Sequence, residues 1–224
     1  MPTNDPYSLR ALEYITCLGF LAVFSLFWRY LNAEPAPRRV AARIAQAADW
    51  FHVPEQVYFH PGHAWARVDG PGVMAVGIDD FAQRLVGPVV GVVLPPTGGT
   101  LAAGQQAWAI RADGKAVDVL APVSGIVVQV NEQVIANPEV VNDDPYGRGW
   151  LLKVKVPRTA SAVKGLTSGA AARQWIEGVT QHLVQNLTPE LGHVYQDGGL
   201  PVQGFARAID EERWDEIARS FLLS

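Results

Sequence analysis

The chain has 224 residues, enough for one medium domain with extra segments. It is 49% hydrophobic and only 18% charged, with a net charge of -4; no basic patch interleaves with aromatics, so no nucleic-acid partner is expected. The single cysteine, Cys17, excludes an intrachain disulfide, a CxxC pair and a cysteine-based zinc site, and fits a reducing compartment.

Residues 1–11 form a short polar lead. The run from Leu12 to Leu31 is the most hydrophobic, with Glu13 and Arg29 near its ends and no charge over residues 14–28. A cleaved signal peptide would need a positive start and a small-x-small site, which the following NAEPAP does not supply. A buried soluble helix would be striped rather than apolar all round. Aromatic flanks at Tyr14, Trp28 and Tyr30 favour a single uncleaved membrane anchor over 12–31. Arg29, Arg38, Arg39 and Arg43 then put the main domain in the cytoplasm, with protein partners at that membrane face.

Residues 32–56 read as a linker, EPAPRR, and a short helix over Arg39–Phe51. Trp50 and Phe51 at its end are placed either on the domain or at the membrane surface. Short strands follow from Val57 to about Pro157: HAWARVDG, GVMAVGID, Val89–Leu94, Ile126–Val130 and Trp150–Val156. A short helix over Asp79–Leu85 has Asp79 or Asp80 as its cap. Strands punctuated by Gly and Pro predict an all-β sandwich or barrel.

Gln105 to Gly125 reads as a hairpin about Asp113-Gly114, because a type I′ turn needs positive φ at both central residues. That register pairs Ala112 with Lys115, Ile110 with Val117 and Trp108 with Val119, all on one apolar face. Arg111, Ala116 and Asp118 take the polar face. Lys115 therefore sits beside the tip with its stem over apolar surface.

The pieces HPGHAWARV, VGIDDFAQRLVGPVVGVVLPPTG and LAPVSGIVVQVNEQVIANPEVVNDDPYGRGWLLKVKV carry a resemblance. The stretch from His60 to Val156 resembles the H protein of the glycine cleavage system, a relative of lipoyl domains. The resemblance implies a two-sheet barrel-sandwich hybrid. It also implies a lysine carrying lipoate on a swinging arm, which shuttles an aminomethyl group between partner enzymes, and no active site of its own. Counting back from PVSG without a gap, the family lysine falls on Gly114 and the family acidic residue on Arg111; Asp118 matches the family aspartate.

Residues 158–224 read as a helical extension. A helix from about Ala170 to Leu187 carries Trp175, Val179, Leu183 and Leu187 as a stripe expected to pack on the β-domain. Residues 190–206 read as a loop, and a last helix starts at Asp210, with Arg213 and Asp215 outward and Trp214, Ile217 and Phe221 on its apolar side. His193 and Asp197 lack a third convergent ligand for a metal or acid–base site. The pair His60 and His63 has chelating spacing, but a structural role is the stronger reading. No GxSxG, P-loop, HExxH or GxGxxG motif is present.

Three functions remain open. The reading of the residues favours a membrane-anchored docking or scaffold module without lipoate. The alternative is a lipoyl carrier modified at Lys115, beside the tip residues Asp113 and Gly114. The third is an enzyme using the loop around Asp197 and His193. No metal and no catalytic residue is expected under the first two.

Overall fold

The structure, a computed structural model, describes residues 6–31, 50–186 and 202–223. Most of the helix expected over Arg39–Phe51, and the pair His193 and Asp197, lie outside the described residues. The chain divides into two units, Met1–Arg43 and Ile44–Ser224.

The first unit holds helix α1, Pro6–Leu31. The expected membrane anchor is corrected here: among the described residues no helix is long and apolar enough to cross a membrane. Glu13 and Arg29 bracket the apolar run, and residues 14–28 cover roughly 22 Å at 1.5 Å per residue. A bilayer core is about 30 Å thick. The single-pass placement, and the cytoplasmic side read from the flanking arginines, lose their premise with it.

The second unit is mainly β. Strands β1 (Tyr58–Phe59), β2 (Ala64–Gly70), β3 (Val73–Ile78), β4 (Gly91–Val93) and β5 (Thr100–Leu101) come first. Then follow β6 (Gln106–Ala112), β7 (Lys115–Leu120), β8 (Gly125–Val130), β9 (Leu152–Lys155) and β10 (Thr167–Ser168). They form one sheet in the order β10-β1-β2-β3-β9-β8-β5 and a second in the order β4-β6-β7. Neither sheet closes on itself, so the barrel part of the expected hybrid is corrected to two open antiparallel sheets. The larger sheet ends in two-residue strands at both edges, too short to offer a closing ladder.

Helix α2 (Asp80–Val86) starts where its cap dictates: Asp79 accepts a hydrogen bond from Ala82 N at 2.8 Å. Two short helices, α3 (Glu132–Ala136) and α4 (Val140–Asp143), lead into the Asp144–Trp150 turn. This NPEVVNDDPYGRGW run is a structural staple. Asn142 accepts from Val89 N and donates to Gly87 O, both at 2.9 Å, while Asp144 accepts from the amides of Gly147 and Arg148. The Tyr146 hydroxyl donates to His52 O at 2.7 Å and accepts from Asp80 N at 3.0 Å. Its burial pushes its pKa well up, so it remains a donor.

Beyond β9 come α5 (Thr159–Ala162), α6 (Gly169–Asn186), α7 (Phe205–Ile209) and α8 (Trp214–Leu222). Helix α6 matches the helix expected over Ala170–Leu187 to within a residue, and it buries Ala172, Ile176 and Leu183. Trp175 packs on Phe59 and His63, so the stripe meets the β-domain. Helix α7 lies within and beyond the segment read as loop. Trp50 and Phe51 are buried in the domain core, with Phe51 against Phe81 and Phe205.

Candidate functional site

The hairpin of β6 and β7 has the register that the Asp-Gly dipeptide demands. Ala112 pairs with Lys115, Ile110 with Val117 and Trp108 with Val119. Asp113 and Gly114 have φ of 47° and 74°, the left-handed values of a type I′ turn. Trp108, Ile110, Ala112, Val117 and Val119 are buried, while Arg111 and Ala116 are exposed. Lys115 thus opens the return strand on the core-facing side, one residue from the tip.

Its amine does not stand free. Lys115 Nζ lies 2.6 Å from Asp215 Oδ1 and donates to Glu212 O at 2.5 Å. The same nitrogen sits 5.8 Å from the centre of the Trp214 ring. The Lys115 side chain is 38% exposed and that of Asp215 14%. Lys115, through its hydrogen bond, is the main cause that holds the Asp215 carboxyl below its ordinary pKa, against the opposing effect of burial.

The contact continues on both sides of the lysine. At the tip, Arg207 lies 3.2 Å from Asp113 and over the Trp214 ring. On the strand, Arg219 donates to Ala116 O at 3.3 Å and pairs with Asp215 at 2.8 Å. Asp215 was expected outward on a helix starting at Asp210. Instead Asp210 closes a turn by accepting from the amides of Glu212 and Arg213, and the helix begins four residues later at Trp214. Asp215 and Arg219, one turn apart, then face the hairpin.

Magnitudes decide what holds the tail there. A part-exposed ion pair contributes about 1 kcal/mol or less. Full burial of a leucine-sized side chain contributes about 2 kcal/mol. Trp214, Ala218, Leu222 and Phe205 are all 1% exposed or less, so apolar burial supplies the strength and the charged contacts set the aim. Gly62 shows how close the seat is: a Cβ there would lie 2.7 Å from Leu222 O.

His63 and Asp79 form a buried pair at 2.8 Å, with the ring stacked on Phe81. His60 Nδ1 accepts from Gly62 N at 3.0 Å, and burial, aided by the nearby His63, lowers its pKa. No group of three metal-ligating side chains occurs among the described residues. A surface cavity of about 760 Å³ is lined by His60, Ser124, Arg158, Ser161 and Lys164, among others, with no carboxylate in its lining.

Lys115, Asp113 and Gly114 are legible in the sequence as a site, whereas the roles of Asp215, Trp214, Glu212 and Arg207 are not. The one available signal was the last helix itself, amphipathic and in need of a partner.

A family model for the glycine cleavage H-protein matches residues 57–179. The glycine cleavage system H protein of Carboxydothermus hydrogenoformans is 43% identical over 108 residues, 48% of this chain and 82% of that relative. The one from Marinobacter nauticus is 40% identical over 119 residues, 53% of this chain and 91% of that protein. A solved structure of a glycine cleavage system H protein from Mycobacterium marinum is 29% identical, with a TM-score of 0.49; the match covers 56% of this chain and 99% of that one.

Proposed function

The chain belongs to the glycine cleavage H-protein family, and we propose that within it the chain is a lipoyl carrier with Lys115 as its attachment residue. Members of this family are carriers rather than enzymes. The work of this chain is accordingly to present a group to partner enzymes of glycine cleavage type. The observation that carries the reading is the position of Lys115, the only lysine between Gln106 and Leu120, next to the exposed tip residues Asp113 and Gly114. Asp118 matches the family aspartate in the same ungapped count that puts the family lysine one residue before Lys115, on Gly114.

Attachment would form an amide between Nζ of Lys115 and the carboxyl of lipoate, with loss of water at the expense of ATP. Once attached, lipoate supplies a disulfide on a long flexible arm. The β6–β7 hairpin fits that group, since its rigid type I′ turn holds the acceptor amine at a fixed place. The tail does not fit it. The nitrogen now donates to a carboxylate and a carbonyl, which occupy its donor positions and crowd it against an incoming acyl group.

That hold favours a second reading, a docking module of the same fold with no lipoyl group, in keeping with Gly114 at the family lysine's place. The two readings separate on the mass of the peptide containing Lys115. A lipoyl-sized increase that is lost in Lys115→Arg supports the carrier. An unmodified lysine, in a host whose other lipoyl proteins are fully modified, supports the docking module.

A further inference from the structure

We infer that the C-terminal helices α7 and α8 are a gate over the hairpin, and that Lys115 can be acylated only when they lift. The inference rests on the carrier reading for its purpose but not for its physical content, which concerns the reactivity of one amine.

Three sets of contacts converge on the hairpin from a segment that lies beyond residues 57–179, the part matched by the family model. Asp215, Glu212 O and the Trp214 ring surround the Lys115 ammonium. Arg207 holds the exposed carboxylate of the tip residue Asp113. Arg219 takes the free carbonyl of Ala116 on strand β7 and shares Asp215 with Lys115. The tail therefore addresses the tip, the lysine and the strand edge together, the same surface an acylating enzyme would need to reach.

The chemistry of the amine gives the gate its effect. An amine attacks an activated carboxyl through its nitrogen lone pair, so the ammonium must first lose a proton. The Asp215 carboxylate, the Glu212 carbonyl and the Trp214 ring crowd that nitrogen and block the path of approach. Acylation would remove the charge on which Asp215 acts, leaving that carboxylate with Arg219 alone. The modified hairpin would then hold the tail less well than the unmodified one, so modification shifts the gate toward opening while the buried Trp214, Leu222 and Phe205 still seat it.

The test is the rate at which Lys115 reacts with a small amine acylating reagent, followed by peptide mass in the full chain. The exposed lysines Lys155 and Lys164 serve as internal references. In the wild-type chain Lys115 should react at least tenfold more slowly than these. Asp215→Ala removes the carboxylate, and Gly62→Ala pushes a methyl group against Leu222 O without touching the lysine. Each should raise the Lys115 rate at least fivefold and leave the references unchanged. Equal rates for Lys115 and the references in the wild type would overturn the gate, as would variants that change nothing.

A parallel incubation with lipoate, ATP and a lipoate–protein ligase separates the gate from the carrier reading. Faster lipoylation of both variants than of the wild type supports the two together. Equal lipoylation of all three keeps the carrier and overturns the gate. Faster amine labelling of the variants with no lipoylation of any chain, while an H protein in the same tube is fully modified, keeps the gate and overturns the carrier.

Discussion

Lys115 Nζ and Asp215 Oδ1 lie 2.6 Å apart although a hundred residues separate them in sequence. The pair ties the start of strand β7 to the first turn of α8, so the fate of the hairpin lysine depends on a helix outside the family domain.

Asp215→Asn should lower stability by about 1 kcal/mol at pH 7, the ordinary value for a part-exposed ion pair. The pH dependence has a definite sign. The folded pKa of Asp215 is depressed, so its contribution is present above the usual carboxylate value near 3.9 and is lost as pH falls through the lower folded value. Melting temperatures of the two chains should differ at pH 7 and converge as the pH drops below about 4. A difference that persists at low pH would mean the pair is not what the substitution removes.

His60 gives a titration of the same sign at higher pH. Its folded pKa is lowered by burial and by His63, and its Nδ1 accepts a hydrogen bond from Gly62 N. The unfolded chain therefore binds a proton near pH 6.5 that the folded chain resists. Stability should fall as pH drops from about 7 to about 5, and His60→Gln should flatten that slope. Urea midpoints across this range measure it; an unchanged slope in the variant would assign the titration elsewhere.

Tyr146→Phe should destabilise the domain by about 2 kcal/mol, because the buried Asp80 amide loses its acceptor and His52 O loses its donor. The expected readout is a melting temperature lower by several degrees with no change in the Lys115 labelling rate. A changed labelling rate would show that the DPYG turn and the hairpin are coupled, against the present account.

Gly114→Lys places an amine at the position that the family lysine occupies by alignment. Gly114 has φ of 74°, so a side chain there costs about 1–2 kcal/mol. The introduced amine would lie at the exposed tip, outside the Asp215 contact. In the ligase incubation it should be lipoylated faster than Lys115 of the wild type. Modification no faster than that would show that access to the tip is not what limits the reaction.

What could be read from the sequence was local. The Asp113-Gly114 dipeptide fixed the hairpin register, because positive φ at two successive residues leaves one turn type available. Asp79 as a helix cap and the stripe on α6 were legible for the same reason. The run from Leu12 to Leu31 has the composition of a membrane anchor but not its length, because only residues 14–28 are free of charge. A helix started at Asp210 turns Asp215 outward; the Asp210 side chain closes a turn instead, and the helix that begins at Trp214 brings Asp215 to the hairpin. The contacts of Lys115 with Glu212 and Asp215 carry no local signature at all, being set by how Trp214 and Leu222 are buried.

Lipoate on Lys115 would be read from the mass of the peptide containing that residue, in protein isolated from its own host. A carrier shows a lipoyl-sized increase on Lys115 that is absent from Lys115→Arg. An unmodified Lys115 in cells whose other lipoyl proteins are fully modified would contradict the carrier reading.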